Sequence, residues 1–198
     1  MEGGLGTLPG GNYSQGFWIS NSGLIAGDAD NGVIDPITGL LESRAVLWNS
    51  GQITNLGTLG GNWSWTSAVN DAGVVAGCTT NTTSDPYSWN GVGTQTRAFQ
   101  WKNGAMKDLG TLGGPDACAG YENDSGQISG VSCTNATPSP LTGIPTVDPF
   151  LWNNGKMLDL GSLGGDYAEV TGMNNLGQVI GTSYGRGSRG TSVPVRRP

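Results

Sequence analysis

No histidine occurs anywhere in the 198 residues. That removes the side chain most often used as a general base and as a metal ligand. Ser-His-acid triads, Cys-His dyads and histidine-based zinc sites are excluded with it. Charge is also scarce, at 12% Asp, Glu, Lys and Arg. All 15 acidic residues precede position 170, whereas four of the nine basic ones (Arg186, Arg189, Arg196 and Arg197) fall in the last 13 positions. The body through Tyr184 is therefore strongly acidic, which argues against a nucleic-acid partner, because phosphate binding needs clustered Lys and Arg.

Long hydrophobic runs are missing too. No stretch of 12 residues is uniformly apolar, so no membrane span is expected. No Ala/Leu/Glu/Lys-rich segment carries a helical period. The opening Met1-Glu-Gly-Gly has neither a basic n-region nor an apolar h-region, so no signal peptide is read in this chain, and a fragment of a longer protein is the expectation.

What is abundant is glycine, 36 residues, against a usual share of roughly 7%. Gly, Asn, Asp and Ser clusters separate short β-favouring runs, the pattern of many turns joining many strands. A fixed repeat organises them. Its first element is Leu5-Gly-Thr-Leu-Pro-Gly-Gly11, Leu56-Gly-Thr-Leu-Gly-Gly61, Leu109-Gly-Thr-Leu-Gly-Gly114 and Leu160-Gly-Ser-Leu-Gly-Gly165, spaced by 51, 53 and 51 residues. The second runs Ile19-Ser-Asn-Ser-Gly-Leu-Ile-Ala-Gly27, with equivalents ending at Gly77, Gly130 and Gly181. Its Asn/Asp-x-Gly core predicts a hairpin, with Gly23, Gly73, Gly126 and Gly177 at positive φ. The third element, Arg44-Ala-Val-Leu-Trp-Asn-Ser-Gly51, recurs at Arg97 and Asp148 and predicts a second hairpin. Trp48, Trp101 and Trp152 take the same place in each copy and are expected to pack between units.

Four strands per unit of about 50 residues predict an all-β, propeller-like array of four-stranded antiparallel blades, with about 3.5 repeats. The array spans residues 1–184, in units 5–55, 56–108 and 109–159 and a partial unit 160–184. Residues 185–198 read as a disordered tail. A half blade leaves unpaired edges, so self-association that completes it is one expectation.

These three elements together resemble the HAF-type probable extracellular repeat of bacterial proteins, over residues 5–184. That family is named for a His-Ala-Phe stretch before the tryptophan. Here Arg44-Ala45-Val46, Arg97-Ala98-Phe99 and Asp148-Pro149-Phe150 stand there, without the family's histidine. The resemblance implies an extracellular or cell-surface repeat protein and carries no catalytic residue.

Candidate sites fall where copies differ. Insertions at Asp28–Ser43, Thr79–Thr96 and Cys133–Val147 occupy one place in each unit and should share one face. The second copy carries Trp63 and Trp65, and its insertion carries Tyr87 and Trp89, aromatics that could stack on a glycan or anchor a protein partner. Tyr13, Phe17 and Trp18 lie nearby in the first copy. Asp28, Asp30 and Asp35 surround a glycine turn and offer part of a calcium shell, the alternative being a solvated acidic loop. Centring the third hairpin on Asn123–Gly126 sets Cys118 opposite Cys133, which predicts a disulfide, the alternative being two free thiols. Cys78 has no visible partner and reads as a small apolar residue. The leading functional reading is a binding module for a glycan or a protein, with no catalysis expected. The alternatives are a polysaccharide hydrolase or lyase using loop-face carboxylates, and a structural unit that self-assembles.

Overall fold

Two turn chemistries generate the strands. In the second element the asparagine side chain folds back on its own backbone. Asn70 Oδ1 accepts the N–H groups of Ala72 and Val74, Asn123 those of Ser125 and Gln127, and Asn174 those of Leu176 and Gln178. The glycine that follows closes each turn at a φ between 73° and 82°, which only glycine adopts without strain. In the third element Ser50-Gly51, Asn103-Gly104 and Asn154-Gly155 have positive φ at both residues. That is the mirror-image turn whose twist matches paired strands.

The computed structural model describes residues 4–185 and the backbone of 192–197. Among these residues there are strands and turns but no helix. Unit I contains β1 (Ser14–Ile19), β2 (Ile25–Ile34), β3 (Leu41–Asn49) and β4 (Gln52–Asn55) as an antiparallel meander. Unit II repeats it with β5 (Gly60–Val69), β6 (Val75–Ser84), β7 (Thr94–Lys102) and β8 (Ala105–Asp108). Unit III comprises β9 (Ala117–Glu122), β10 (Ile128–Pro138), β11 (Pro145–Asn153) and β12 (Lys156–Asp159). Unit IV holds β13 (Gly164–Met173), β14 (Val179–Gly185) and β15 (Ser192–Arg197). A parallel contact, Val147 with Tyr167, joins units III and IV into one seven-stranded mixed sheet. The three sheets are open.

The fourth unit is fuller than a single hairpin. Gly181 of β14 faces Val195 of β15, as Gly77 faces Phe99 and Gly130 faces Phe150. Part of the segment expected to be a disordered tail thus has the register of a third strand. Residues 186–191 and 198 of that segment lie outside the described residues.

Each unit buries its face on the next. At the I/II junction Ala26, Ala45, Leu47 and Leu56 pack with Val75 and Phe99. At the II/III junction Ala76, Ala98 and Leu109 pack with Ile128, Phe150 and Trp152. Trp152 is buried in the II/III core and Trp101 is half-buried against the I/II core, whereas Trp48, expected between units, is buried in a separate cluster with Leu8, Ala29 and Val46 of its own unit. The glycine ending the second element makes room for this. A Cβ at Gly77 would meet the Trp65 carbonyl and lie 2.9 Å from the Phe99 ring, and Gly130 stands likewise to the Phe150 ring. Hydrogen bonds between successive asparagine turns tie the units at one end. Asp71 accepts from the Ser22 N–H and the Asn21 amide, Asn70 and Asn123 donate to the backbone carbonyls of Asn123 and Asn174, and Asn175 donates to Asp124.

Candidate functional site

The first strand of every unit is interrupted at the same register point. Pairing skips Phe17 in β1, Ser67 in β5, Gly120 in β9 and Thr171 in β13. Such bulges re-aim side chains. Here the bulged stretches of the four strands come together around one groove of about 470 Å³. Phe17 and Trp18 line it from unit I, Trp65, Thr66 and Ser67 from unit II, Gly120 and Tyr121 from unit III, and Val170 from unit IV. Phe17 and Trp18 are 47% and 44% exposed, large apolar surface left open to a ligand. The Tyr121 hydroxyl donates to the Thr171 carbonyl at 2.8 Å, which fixes its ring across units III and IV.

One carboxylate joins these aromatics. Asp28, on β2, accepts the Thr66 N–H at 3.0 Å and lines the groove. Burial pushes its pKa up to about 7, with the Thr66 N–H pulling the other way. Near neutral pH it is therefore both a proton donor and an acceptor, a useful partner for hydroxyl groups.

A second groove, of about 400 Å³, also has Trp65 in its lining. Trp63 and Trp65 line it together with Thr38 and Leu40 of the β2–β3 loop and Asn90, Gly91 and Val92 of the β6–β7 loop. The Trp63 indole N–H donates to Asp35 Oδ2 at 2.7 Å. Asp35 is 1% exposed. Burial alone would raise its pKa, but hydrogen bonds from the Ile37 N–H, the Trp63 indole, the Thr38 N–H and the Asn62 amide outweigh that and hold it below the usual value. Asp35 is thus a fixed anionic acceptor that locks the Trp63 ring.

The expected site residues are divided by this geometry. Trp63 and Trp65 are in the grooves. Trp89 lies instead at the junction of units II and III, where its N–H bonds Asp116 at 3.1 Å, and Tyr87, whose N–H bonds Asp85 of its own unit, is exposed and lines neither groove. The three aspartates considered for calcium serve different neighbours. Asp28 bonds Thr66, Asp30 takes the N–H groups of Asn12, Tyr13 and Gly32, and Asp35 holds Trp63. Among the described residues no cluster of three or more His, Cys, Asp or Glu side chains is placed to hold a metal ion.

The disulfide is a correction. Cys118 bonds Cys78, with Cα atoms 5.0 Å apart, and Cys133 is a free, buried thiol. The turn pairs Ile128 with Glu122, one residue off the expected centring, and the β9 bulge shifts the register by one more, so Cys118 faces Val131 instead of Cys133. Its side chain reaches the neighbouring unit, where Cys78 sits on β6. Tyr121 was missed in the sequence, although it holds the same repeat position as Trp18, one residue before the end of the first strand.

No protein-family model, curated protein or solved structure matches the chain. Among the described residues no helix is long and apolar enough to cross a membrane.

Proposed function

We propose that this chain is a carbohydrate-binding repeat module of propeller-like build, acting outside the cell or at its surface. The observation that carries the reading is the convergence of four bulged strands on one groove, which gathers Phe17, Trp18, Trp65 and Tyr121 beside a single carboxylate. Pyranose rings present apolar C–H faces that lie flat on aromatic rings and hydroxyl edges that need acceptors. The groove supplies both. No Lys or Arg lines it, so a neutral glycan fits better than a sulfated or uronic one. A groove of this volume is within the range of ordinary ligand sites, about 300–1,000 Å³. Hydrolysis by paired carboxylates takes two such groups on opposite sides of the bond. Asp28 is the one carboxylate lining the groove, which favours binding over turnover. The inter-unit disulfide supports an oxidising compartment, as does the likeness to HAF-type repeats.

Affinity electrophoresis through gels containing neutral polysaccharides tests the proposal. The protein should be retarded by at least one of them, and a Phe17→Ala, Trp18→Ala double variant should lose the retardation while keeping its melting temperature. Equal mobility in every gel would sink the reading.

A further inference from the structure

The two grooves share a wall. Trp65 borders the 470 Å³ groove with Asp28 and Tyr121, and it also borders the 400 Å³ groove with Leu40 and Asn90. Trp63 and Trp65 are two residues apart on β5, so their side chains leave the strand on one face. Their order along the strand leads from the loops toward the central groove. The Trp63 ring is held at its nitrogen by buried Asp35, and its backbone is held by Thr80, whose Oγ1 accepts the Trp63 N–H at 3.1 Å. This is a preorganised platform, which lowers the ordering cost of binding.

We infer that the two grooves form one track and that the ligand is an extended neutral polysaccharide chain lying across Trp65, rather than a single sugar or a chain end. The inference rests on the carbohydrate reading of the central groove and adds the length of chain recognised. The second groove shares the aromatic and neutral lining of the first, without its carboxylate. Two indoles form its floor, uncharged Thr38 and Asn90 supply hydrogen-bonding groups, and no cationic side chain lines it. Leu40 is 62% exposed at its rim, an apolar surface that a sugar face would cover. A protein segment is the competing occupant. The lack of cationic lining in an acidic chain and the alternation of flat rings with neutral amides and hydroxyls favour the sugar chain.

Calorimetric titration with soluble oligosaccharide ladders tests it, using α-1,4-glucan, β-1,4-glucan and N-acetylglucosamine series of two to eight units. In the series that binds, affinity should step up by about tenfold or more once the oligomer is long enough to cross Trp65. Trp63→Ala should abolish the step and leave the short oligomers unchanged. Phe17→Ala should weaken every length. Leu40→Ser removes part of the second groove without touching the Trp63–Asp35 bond, and it should reduce the step as well, so that a folding defect in Trp63→Ala cannot imitate the result. If Phe17→Ala weakens binding but no step exists, or both Trp63→Ala and Leu40→Ser leave it intact, the track is wrong and the central site stands. If no series binds, both readings fall.

Discussion

The I/II and II/III junctions use the same repeat positions and join by different means. At the first, Asp28 reaches from β2 to the Thr66 N–H of the next unit. At the second, the equivalent residue is Cys78, which reaches from β6 to Cys118 and bonds it covalently. The loops differ in the same way. Asp35 of the first loop meets donors from unit II, the Trp63 indole and the Asn62 amide. The equivalent Asp85 meets Asp116, another acceptor. Asp85 Oδ2 is buried and has no hydrogen-bond partner among the described residues. At the III/IV junction the pair is complementary again, with the Ser139 hydroxyl donating to Asp166. A junction with matched hydrogen bonds holds without a covalent link. The II/III junction has hydrogen bonds of its own, from the Trp89 and Thr96 N–H groups to Asp116, and adds the disulfide beside its two facing acceptors. The repeat thus specifies where units touch, and each junction finds its own chemistry there.

Substitutions at several positions separate the two junctions. The largest effect should come from the cores common to both junctions. Phe99→Ala should cost about 3–5 kcal/mol in urea unfolding, and Phe150→Ala a similar amount. A much smaller loss at Phe150 would mean that the disulfide, not packing, holds the second junction. Next, Cys78→Ser should cost about 2–4 kcal/mol, while Cys133→Ser should cost far less. Thiol titration should find no reactive group in the folded protein, since burial pushes the Cys133 thiol up to about 12, and one group after unfolding without reductant. Three would disprove the disulfide. Asp35→Ala should then cost about 1–3 kcal/mol by leaving the Trp63 indole unpaired. The same change should blunt any fluorescence response of Trp63 to the oligosaccharides that test the proposed site.

The smallest effect is the most diagnostic, because the equivalent loop contacts, Asp35 at the I/II junction and Asp116 beside Asp85 at the II/III junction, should differ in sign with pH. Burial, then repulsion from Asp85, raises Asp116 from 3.8 to about 6 against the N–H groups of Thr96 and Trp89 and the charge of Arg97. Its folded-state pKa lies above the unfolded one, so the folded chain holds that proton more tightly. The stability it provides is full below about pH 4 and is lost as pH rises through about 6. Asp28, near 7, and Glu122, near 8, carry the same decline to higher pH. Asp35, held low, acts in the opposite direction and loses its contribution as pH falls below the ordinary carboxylate range. Thermal melts across pH 3–9 should therefore show a fall from about pH 4 upward that Asp116→Asn makes shallower between pH 4 and 6, with a gain of a few degrees at pH 8, corresponding to ~1 kcal/mol. A flat profile in the unmodified protein would remove the like-charge pair from the account.

Much of the fold was legible because turn chemistry is local. The asparagine turns and the Asn-Gly or Ser-Gly hairpins announce themselves within a few residues, and the period places them. The cysteine pairing was not legible, for two physical reasons. The bulge at Gly120 changes which residues face each other in the third hairpin, and a bulge has no strong signature in one sequence. The contact from Cys78 to Cys118 also depends on how one unit is set against the next, which a period does not encode. The groove was half legible. Trp63 and Trp65 stood out as departures from the repeat, whereas Phe17, Trp18 and Tyr121 needed the bulges to bring them together. The third strand of unit IV was hidden because Val193-Pro194-Val195 carries the spacing of Asp148-Pro149-Phe150 without its tryptophan.

The bond between Cys78 and Cys118 also governs how the molecule bears tension. The chain between them covers a sequence separation of 40 residues, including the rest of β6, all of β7 and β8, and the approach to β9. Pulled by its two ends, a fully unravelled molecule would keep that loop closed and fall short of its reduced length by about 130–140 Å, at roughly 3.3–3.6 Å per residue. An oxidised repeat under tension would keep the segment that bears Tyr87 and Asn90 as a sealed loop. Reduction would release that length in a single step, which a force–extension trace would record.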